Sequence, residues 1–127
     1  MTQRVVAAVV RRGEQLLVCQ RPAHKRHGGL WEFPGGKCEP GESDHDATAR
    51  ELDEELGVRV RVVGTPLFTA HDAGSPFEIV FLPVEIDGDP ETREHDALHW
   101  GTAETLLQLP LAPSDRRFVE WALDQRC

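Results

Sequence analysis

Three glutamates near the middle of the chain have the spacing of ligands on one face of a helix. Glu51, Glu54 and Glu55 stand at positions i, i+3 and i+4, so an α-helix brings their carboxylates together. The like-charged pair of Glu51 and Glu55 disfavours such a helix by roughly 0.2–0.5 kcal/mol, unless a cation lies between the two side chains. Carboxylate oxygens are ligands that Mg²⁺ and Mn²⁺ prefer. The spacing therefore predicts a divalent-metal site.

Helix signals on both sides of these glutamates predict how they are positioned. Ser43 has the character of an N-cap, and Gly57 has that of a C-cap. Ala49, Leu52 and Leu56 form an apolar stripe with helical spacing, which we expect to face the core. The carboxylate face is then offset from the core face, as a metal site at the surface requires.

The acidic character of this region allows two other interpretations. Residues 39–55 contain eight acidic side chains and one basic side chain, and a solvated acidic helix would have the same composition. An EF-hand calcium loop would place Asp44, Asp46, Thr48 and Glu55 at its positions 1, 3, 5 and 12. Position 6 of such a loop needs glycine, but Ala49 stands there, so the EF-hand interpretation is disfavoured.

The rest of the chain predicts a mixed sheet. Strand patterns cover residues 5–10, 15–20, 58–63, 67–70, 77–86 and 98–101, and a short apolar piece covers residues 30–33. The first two strands form a hairpin with its turn at 11–14. Two more helices are expected, at 102–109 with Thr102 as its cap and at 116–125 with Ser114 or Asp115 as its cap. This order of elements favours an α/β protein with helices on both faces of the sheet.

Size, charge and cysteine content limit the class of protein. A chain of 127 residues suits a single domain over 1–127, and its net charge of −8 argues against binding to duplex nucleic acid. No apolar run approaches the ~20 residues that span a bilayer, and no secretion signal is visible. Cys19, Cys38 and Cys127 are odd in number and lack metal-ligand spacing, which predicts reduced thiols and a cytoplasmic location.

The segment from residue 36 to residue 58 resembles the Nudix box, G-x5-E-x7-R-E-U-x-E-E-x-G-U, in which U is a bulky aliphatic residue. Every fixed position is filled, by Gly36, Glu42, Arg50, Glu51, Leu52, Glu54, Glu55, Gly57 and Val58. The resemblance implies the Nudix fold, an α/β/α sandwich with a mixed β-sheet between helices. It also implies hydrolysis of phosphorus anhydrides in nucleotides.

The same resemblance implies roles for the polar residues of the box. Glu51, Glu54 and Glu55 are expected to bind Mg²⁺, or Mn²⁺, together with the carbonyl oxygen of Gly36. Arg50 is expected to orient the glutamates, so that Arg50, Glu51 and Glu54 are the catalytic residues of the box. The alternative for Arg50 is an ordinary surface pair with Glu54.

Two residues outside the box are also implied in the site. Glu94 precedes the last strand, where MutT-like members have a glutamate that binds the metal or acts as general base; box glutamates fill the base role in other members. A solvated loop acid is the alternative for Glu94, and a neighbouring lone histidine, His95, is expected to be solvated.

Arg21 ends the second strand, where a MutT-type arginine contacts phosphates. The alternative for Arg21 is an ordinary surface charge. Glu42, inside the box, has a weaker claim to a role in the site, because a structural pair with a cation in a loop would explain it equally well.

Base recognition is expected near the second strand and the last helix. Leu30 and Phe33 are implied as walls of a base pocket, with core packing as the alternative. Residues 94–100 and 109–115 resemble the branch of MutT-like proteins that hydrolyses CTP and 5-methyl-dCTP. Asp115 stands where MutT proper has an asparagine that reads 8-oxo-guanine. An ionised carboxylate accepts hydrogen bonds, which suits the amino group of cytosine, although a plain helix cap is the alternative.

Together these features predict an Mg²⁺-dependent nucleoside triphosphate pyrophosphohydrolase that acts on (d)CTP or modified cytosine nucleotides. We expect a monomer or homodimer that does not act at a membrane. Hydrolysis of 8-oxo-dGTP is the nearest alternative, and a catalytically silent nucleotide sensor with the same fold is another. The presence of every box glutamate favours the enzyme.

Overall fold

The computed structural model describes residues 2–71 and 73–125, which form eight strands and three helices. The strands are β1 (Gln3–Arg12), β2 (Gln15–Gln20), β3 (Trp31–Glu32), β4 (Gly35–Lys37), β5 (Arg59–Val63), β6 (Phe68–Ala70), β7 (Phe77–Asp87) and β8 (Ala97–Gly101). The helices are α1 (Asp44–Leu56), α2 (Ala103–Leu106) and α3 (Pro113–Asp124). Each predicted strand and helix is present, and Thr102 caps α2 as predicted. Strand β2 has the predicted bounds, whereas the ends of most other elements are shifted.

The sheet is mixed, as predicted. Its main path runs β3-β2-β1-β7-β5, with β4 paired to β1, β6 to β7 and β8 to β2. Strands β1 and β7 run parallel from the Gln3–Phe77 pair to the Val10–Val84 pair. The other named pairs are antiparallel, and β1 and β2 form the predicted hairpin. The long central pair of β1 and β7 therefore supports the shorter strands that carry the site.

Two hydrophobic cores separate the helices into layers. Because side chains alternate between the faces of a strand, neighbouring residues of β7 belong to different cores. Val80 and Leu82 pack in the core that includes Leu52 and Leu56 of α1, whereas Phe81 packs in the core that includes parts of α2 and α3. Helix α1 thus covers one face of the sheet, and α2 and α3 cover the other. The predicted α/β/α sandwich is confirmed.

Helix α1 has the caps that the sequence predicts. The Ser43 side chain accepts a hydrogen bond from the backbone N–H of Asp46 at 3.1 Å. Gly57 adopts a left-handed conformation with φ 68°, and its N–H donates to the carbonyl oxygen of Asp53. The helix is continuous from Asp44 to Leu56, so the segment does not form the loop that an EF-hand requires.

The Gly-rich segment before α1 contains a strand, β4, that the sequence pattern does not predict. Gly35 and Gly36 pair with Ala7 and Val6 of β1. Gly35 has φ 151°, and a Cβ there would collide with the carbonyl oxygen of Val6. Glycines have low strand propensity, so pairing with the long strand β1, rather than local preference, makes this segment a strand.

Helix α3 begins earlier than predicted. Its N-cap is Ala112, which makes no side-chain cap hydrogen bond, and Pro113 is the first helical residue. Proline is well suited to this position because its φ is already helical and its missing N–H would have had no partner. The predicted cap role of Ser114 or Asp115 is therefore wrong, and both residues lie inside the first turn.

Candidate active site

A cavity of about 100 Å³ lies between the Nudix-box-like segment and the elements β2 and β3. Its walls are formed by Arg21, Pro22, Lys25, Glu32, Gly35, Glu51, Glu55, Glu94 and His95. Four of these side chains are carboxylates, and two are cations at neutral pH. The predicted site residues Arg21, Glu51, Glu55 and Glu94 are thus brought together. The cavity combines carboxylates, which are ligands that Mg²⁺ prefers, with side-chain cations of the kind that pair with phosphate.

A larger surface cleft of about 150 Å³ lies elsewhere, on β1, β5 and β7, and contains none of the predicted site residues. Two of its arginines, Arg12 and Arg61, already have partners. Arg12 stacks over the ring of Trp100 at 4.6 Å, and Arg61 pairs with Glu85 at 3.1 Å. Size alone therefore does not identify the functional cavity, whereas the chemistry of the lining residues does.

Arg50 is the centre of the hydrogen-bond network in the box. Its Nε and Nη2 donate to the two carboxylate oxygens of Glu42, each at 2.9 Å. Its Nη1 donates to Glu51 Oε1 at 2.8 Å, and Nη2 also donates to the carbonyl oxygen of Lys37 at 3.0 Å. Glu54 lies farther away, at 3.7 Å. Arg50 therefore connects the loop before α1 to Glu51, and a simple surface pair with Glu54 does not describe it.

Glu42 pairs with this helix arginine rather than with a cation in a loop. The hydrogen bonds from Arg50, followed by one from the backbone N–H of Glu39 at 2.7 Å, lower the pKa of Glu42 to about 2. The same pairing raises the pKa of Arg50. Both groups stay charged near neutral pH, so the orientation of Arg50 is maintained.

The carboxylate of Glu51 lies against the backbone of Gly36. A Cβ at Gly36 would stand 2.6 Å from the Cδ and Oε2 atoms of Glu51 and 2.7 Å from its Oε1 atom. Because these distances are too short for a real contact, a side chain at position 36 would displace the carboxylate from this place. Arg50 holds the same carboxylate through Oε1. Strand β4 and helix α1 therefore fix the position of Glu51 together.

Glu55 is buried, although the whole carboxylate face was expected at the surface. Its side chain is 4% exposed, whereas those of Glu51 and Glu54 are 16% and 51% exposed. Burial, followed by the nearby carboxyl group of Glu51, raises the pKa of Glu55 well above its ordinary value. The Oε2 atom of Glu55 is buried without a hydrogen-bond partner among the described residues. A bound cation or an ordered water would satisfy such an oxygen.

The donor set fits a divalent cation. Carboxylates of Glu51, Glu55 and Glu94 line the cavity, and Glu54 lies on the same helix beside Arg50. Over residues 2–71 and 73–125, no three acidic, histidine or cysteine side chains already converge into a complete ligand set. A bound cation would draw the carboxylates together and replace the repulsion that raises the pKa of Glu55.

Glu32 and His95 have a larger part in the cavity than the sequence suggests. The prediction that His95 is solvated is wrong, because its side chain is only 5% exposed. Its Nε2 atom lies 3.0 Å from Glu32 Oε2 and 3.6 Å from Glu55 Oε1. The sequence signal that could have identified Glu32 is a carboxylate inside the short apolar piece at 30–33.

Glu94 is carried by a loop that backbone hydrogen bonds hold on both sides of it. The N–H of Arg93 donates to the carbonyl oxygen of Glu55 at 3.2 Å, at the end of α1. The N–H of Asp96 donates to the carbonyl oxygen of Gln20 at 3.0 Å, at the end of β2. Glu94 itself is exposed and lines the cavity, so a rigidly held backbone presents its carboxylate there.

Arg21 is anchored at the cavity wall. Its Nε donates to the carbonyl oxygen of Arg26 at 2.9 Å, and its Nη1 lies 3.4 Å from both oxygens of Glu32. Lys25 lines the same cavity. Two cations therefore lie close to the carboxylates, where a phosphate chain bound with a cation would need them.

The two apolar residues expected to wall a base pocket do not line this cavity. Phe33 is 4% exposed, and its ring packs edge-on against Phe81 and Phe118 at centroid distances of 5.9 and 5.3 Å. Phe33 therefore lies in the core, which was the alternative to a role as a wall of the base pocket. Leu30 is half-buried, and its carbonyl oxygen accepts the backbone N–H of Arg21 at 2.9 Å.

Asp115 is a buried carboxyl group that connects α3 to the end of β3. It is 7% exposed, and its Oδ1 atom accepts the backbone N–H of Phe33 at 2.9 Å. Burial raises the pKa of Asp115 to about 7, although the hydrogen bond from Phe33 opposes the shift. Near neutral pH this group therefore exists both as an acceptor-only carboxylate and as an acid that can also donate.

The buried carboxyl of Asp115 is expected to make folding stability depend on pH. Its pKa is about 7 in the folded protein but about 3.9 in an unfolded chain, so the folded state binds more protons between these values. Its contribution to stability is complete below pH ~4 and is lost as the pH rises towards 7. In urea titrations, the free energy of unfolding of the wild type minus that of Asp115→Asn should fall by on the order of 3 kcal/mol over this window. A difference that stays constant with pH would contradict the shifted pKa.

Two of the three cysteines, Cys19 and Cys38, lie in the described part of the chain. Cys19 and Cys38 are free, and burial raises the pKa of both, so neither is an activated thiol. Cys127 lies outside the described residues. Among the residues that are described, no helix has the length and apolar character needed to cross a membrane.

Comparison with known proteins agrees with this geometry. The NUDIX domain model matches residues 1–122. The chain is 41% identical over 120 residues to CTP pyrophosphohydrolase of Escherichia coli (strain K12), covering 91% of this chain and 87% of that protein. It is 36% identical over 122 residues to putative 8-oxo-dGTP diphosphatase 2 of Mycobacterium tuberculosis, covering 94% and 86%.

A solved structure shows the same fold. MutT, from a study of the proteins of Aliivibrio salmonicida and Vibrio cholerae, superposes with a TM-score of 0.84 at 30% identity, covering 98% of this chain and 99% of that chain. The family match spans nearly the whole chain, and the acidic cavity is formed by the box and the elements around it. This chain therefore belongs to the Nudix hydrolase family.

Proposed function

We propose that this Nudix hydrolase is an Mg²⁺-dependent nucleoside triphosphate pyrophosphohydrolase that acts on (d)CTP or a modified cytosine nucleotide. The products would be the nucleoside monophosphate and pyrophosphate. The observation that carries the proposal is the cavity in which Glu51, Glu55 and Glu94 lie beside the cations Arg21 and Lys25. A triphosphate bound together with a divalent cation needs both kinds of group.

The proposed metal ligands are Glu51, Glu54, Glu55 and Glu94, with the carbonyl oxygen of Gly36. Bound Mg²⁺, or Mn²⁺, would neutralise phosphate charge and polarise the phosphorus–oxygen bonds. Two observations support this assignment. Within the described part of the chain, the Oε2 atom of Glu55 is buried without a hydrogen-bond partner, and Gly36 provides the space that the Glu51 carboxylate occupies.

Residues of the chain would orient the carboxylates and the phosphates and accept a proton from the attacking water. Water adds its oxygen to a phosphorus atom, the bridging phosphoanhydride bond breaks, and the water proton passes to a carboxylate. Glu54 and Glu94 are the proposed acceptors, because both are exposed, whereas Glu55 is buried and has a raised pKa. Arg50 orients Glu51, and Arg21 would exchange part of its contact with Glu32 for a phosphate oxygen.

Asp115 is the proposed reader of the base. Its ionised form accepts from the amino group of cytosine, and its protonated form can also donate to a ring nitrogen. Similarity to a CTP pyrophosphohydrolase supports this choice. Hydrolysis of 8-oxo-dGTP is the second candidate, because the chain is also similar to a putative 8-oxo-dGTP diphosphatase and because guanine too offers donors to a carboxylate.

A nucleotide panel with Mg²⁺ tests the reaction and the box chemistry. Pyrophosphate release would be measured with CTP, dCTP, 5-methyl-dCTP and 8-oxo-dGTP. We expect a cytosine nucleotide to react fastest, and kcat to fall roughly 10²–10⁴-fold in Glu54→Gln, because an amide cannot accept the proton. Glu120→Gln removes an exposed glutamate of α3 outside the cavity and should leave kcat unchanged.

The same panel tests the base assignment with Asp115→Asn. The ratio of kcat/KM for the cytosine nucleotide to that for 8-oxo-dGTP should fall about tenfold, because the amide cannot reproduce both hydrogen-bonding states of the carboxyl. Comparing two substrates on one variant cancels any change in the folded fraction. An unchanged ratio, or a wild type that prefers 8-oxo-dGTP, would contradict the role of Asp115. No release from any triphosphate would favour the silent sensor.

Three wider features belong to the same proposal. The family match over 1–122 supports a single Nudix domain across 1–127. The free thiols Cys19 and Cys38 support a cytoplasmic location. We propose a monomer or homodimer that acts on a free nucleotide, because the net charge of −8 disfavours duplex nucleic acid.

A further inference from the structure

We propose that His95 is a positioning residue that holds Glu32 and Glu55 relative to each other and thereby connects the phosphate-binding side of the cavity to the metal-binding side. This inference rests on the proposed function, because it assigns a role within the same site. His95 contacts no reacting atom in this assignment. It acts through the two carboxylates.

The imidazole of His95 lies between two carboxylates. Nε2 lies 3.0 Å from Glu32 Oε2 and 3.6 Å from Glu55 Oε1. The Glu32 carboxylate is an acceptor when ionised, so Nε2 carries the proton and donates to Glu32 Oε2. Glu32 in turn lies 3.4 Å from Nη1 of Arg21. A continuous series of polar contacts therefore runs from Arg21 through Glu32 and His95 to Glu55.

The His95 ring is buried at this position. The His95 side chain is 5% exposed, and its Nδ1 atom is buried without a hydrogen-bond partner among the described residues. An imidazole that only packed against apolar neighbours would not place its polar edge between two carboxylates. The ring is held there by the backbone on both sides, through the N–H of Arg93 and the N–H of Asp96.

The chemistry of the imidazole favours an indirect role over a direct metal-ligand role. Mg²⁺ prefers oxygen ligands, and Nε2 already faces two carboxylates, so a direct ligand role for His95 is disfavoured. The Nε2–H group lies 3.6 Å from Glu55 Oε1, which is too long for a hydrogen bond, so it attracts this oxygen electrostatically. The Oε2 atom of Glu55, which has no hydrogen-bond partner among the described residues, is left for a cation. Contacts that orient the ligands of a metal commonly change the metal affinity when they are removed.

Calorimetric titration of Mn²⁺ into the protein without nucleotide tests the inference. His95→Leu fills a similar volume without a donor, and the Mn²⁺ dissociation constant should rise about tenfold. His95→Gln places an amide N–H near the position of Nε2 and should stay within about threefold of the wild type. If His95 only supports folding, both variants would lower the melting temperature without changing the Mn²⁺ dissociation constant, which would overturn the proposal.

A second variant keeps the test decisive if His95→Leu does not fold. Glu32→Gln alters a partly exposed side chain, and His95→Ala, which removes the donor, can be measured with and without it. The effect of His95→Ala on the Mn²⁺ dissociation constant should be smaller in the Glu32→Gln background, because the two residues act through one contact. Additive effects would overturn the proposal, as would a wild type that binds no Mn²⁺. A wild type that binds Mn²⁺ but hydrolyses no triphosphate would contradict only the proposed function.

Discussion

Replacing Arg50 by alanine is expected to lower kcat/KM by about 100-fold. The guanidinium holds both oxygens of Glu42, the Oε1 atom of Glu51 and the carbonyl oxygen of Lys37. Without it, Glu51 loses a donor that fixes its carboxylate, and the acidic cluster loses its internal cation. The loss should appear in kcat/KM for the best nucleotide and as weaker Mn²⁺ binding in calorimetry.

Two further substitutions show whether geometry or charge causes this effect. Arg50→Lys keeps the charge but cannot form the planar fork, so its activity should lie between those of the wild type and Arg50→Ala. Arg61→Ala is the matched control, because Arg61 pairs with Glu85 at 3.1 Å and Asp87 at 3.3 Å away from the cavity. Its kcat/KM should stay within about twofold. Equal losses in Arg50→Ala and Arg61→Ala would contradict the specific role of Arg50.

Adding one methyl group at Gly36 is expected to have a similarly large effect. The Cβ of Gly36→Ala would stand 2.6 Å from the carboxyl carbon of Glu51, so the carboxylate must move. A displacement of about 1 Å in a catalytic group costs on the order of 100-fold in rate. We expect kcat/KM to fall by about that factor and the Mn²⁺ dissociation constant to rise, both measured on the folded variant.

Gly64→Ala separates this displacement from general crowding. The Cβ at Gly64 would lie 2.7 Å from Cγ of Pro83, which is comparably tight, but Gly64 does not line the cavity. Both variants should lose stability, on the order of 1–3 kcal/mol in urea unfolding, because each overpacks its surroundings. Only Gly36→Ala should lose activity and Mn²⁺ affinity. Parallel losses of activity would mean that the space at Gly36 is not specific to the site.

Local signals in the sequence predict helix α1, which carries the box glutamates, well. The cap at Ser43, the C-cap at Gly57 and the stripe of Leu52 and Leu56 all lie within one helix, where spacing decides which residues share a face. The hairpin of β1 and β2 is predicted for a similar reason, because a short turn between two strand patterns leaves little choice of partner.

Residues whose roles depend on distant partners were predicted less well. His95 was expected in solvent, but it meets Glu32, which is 63 residues away in the sequence. Asp115 was offered as a cap of α3, but it lies inside the first turn, and its carboxyl accepts the backbone N–H of Phe33, 82 residues away. Its role as a reader of the base stays a proposal. No spacing rule covers such separations, because the pairing of strands and the docking of loops bring these residues together.

By itself, the sequence determined the identity of the box residues, the helix that carries them and the α/β character of the chain, because helix caps, periodicity and turn residues act over a few positions. Only the tertiary structure decided that Glu55 is buried, that Gly36 lies in a strand against Glu51, and that Glu32 and His95 complete the cavity. Burial and ion pairing depend on which elements pack together, and that information is distributed over the whole chain.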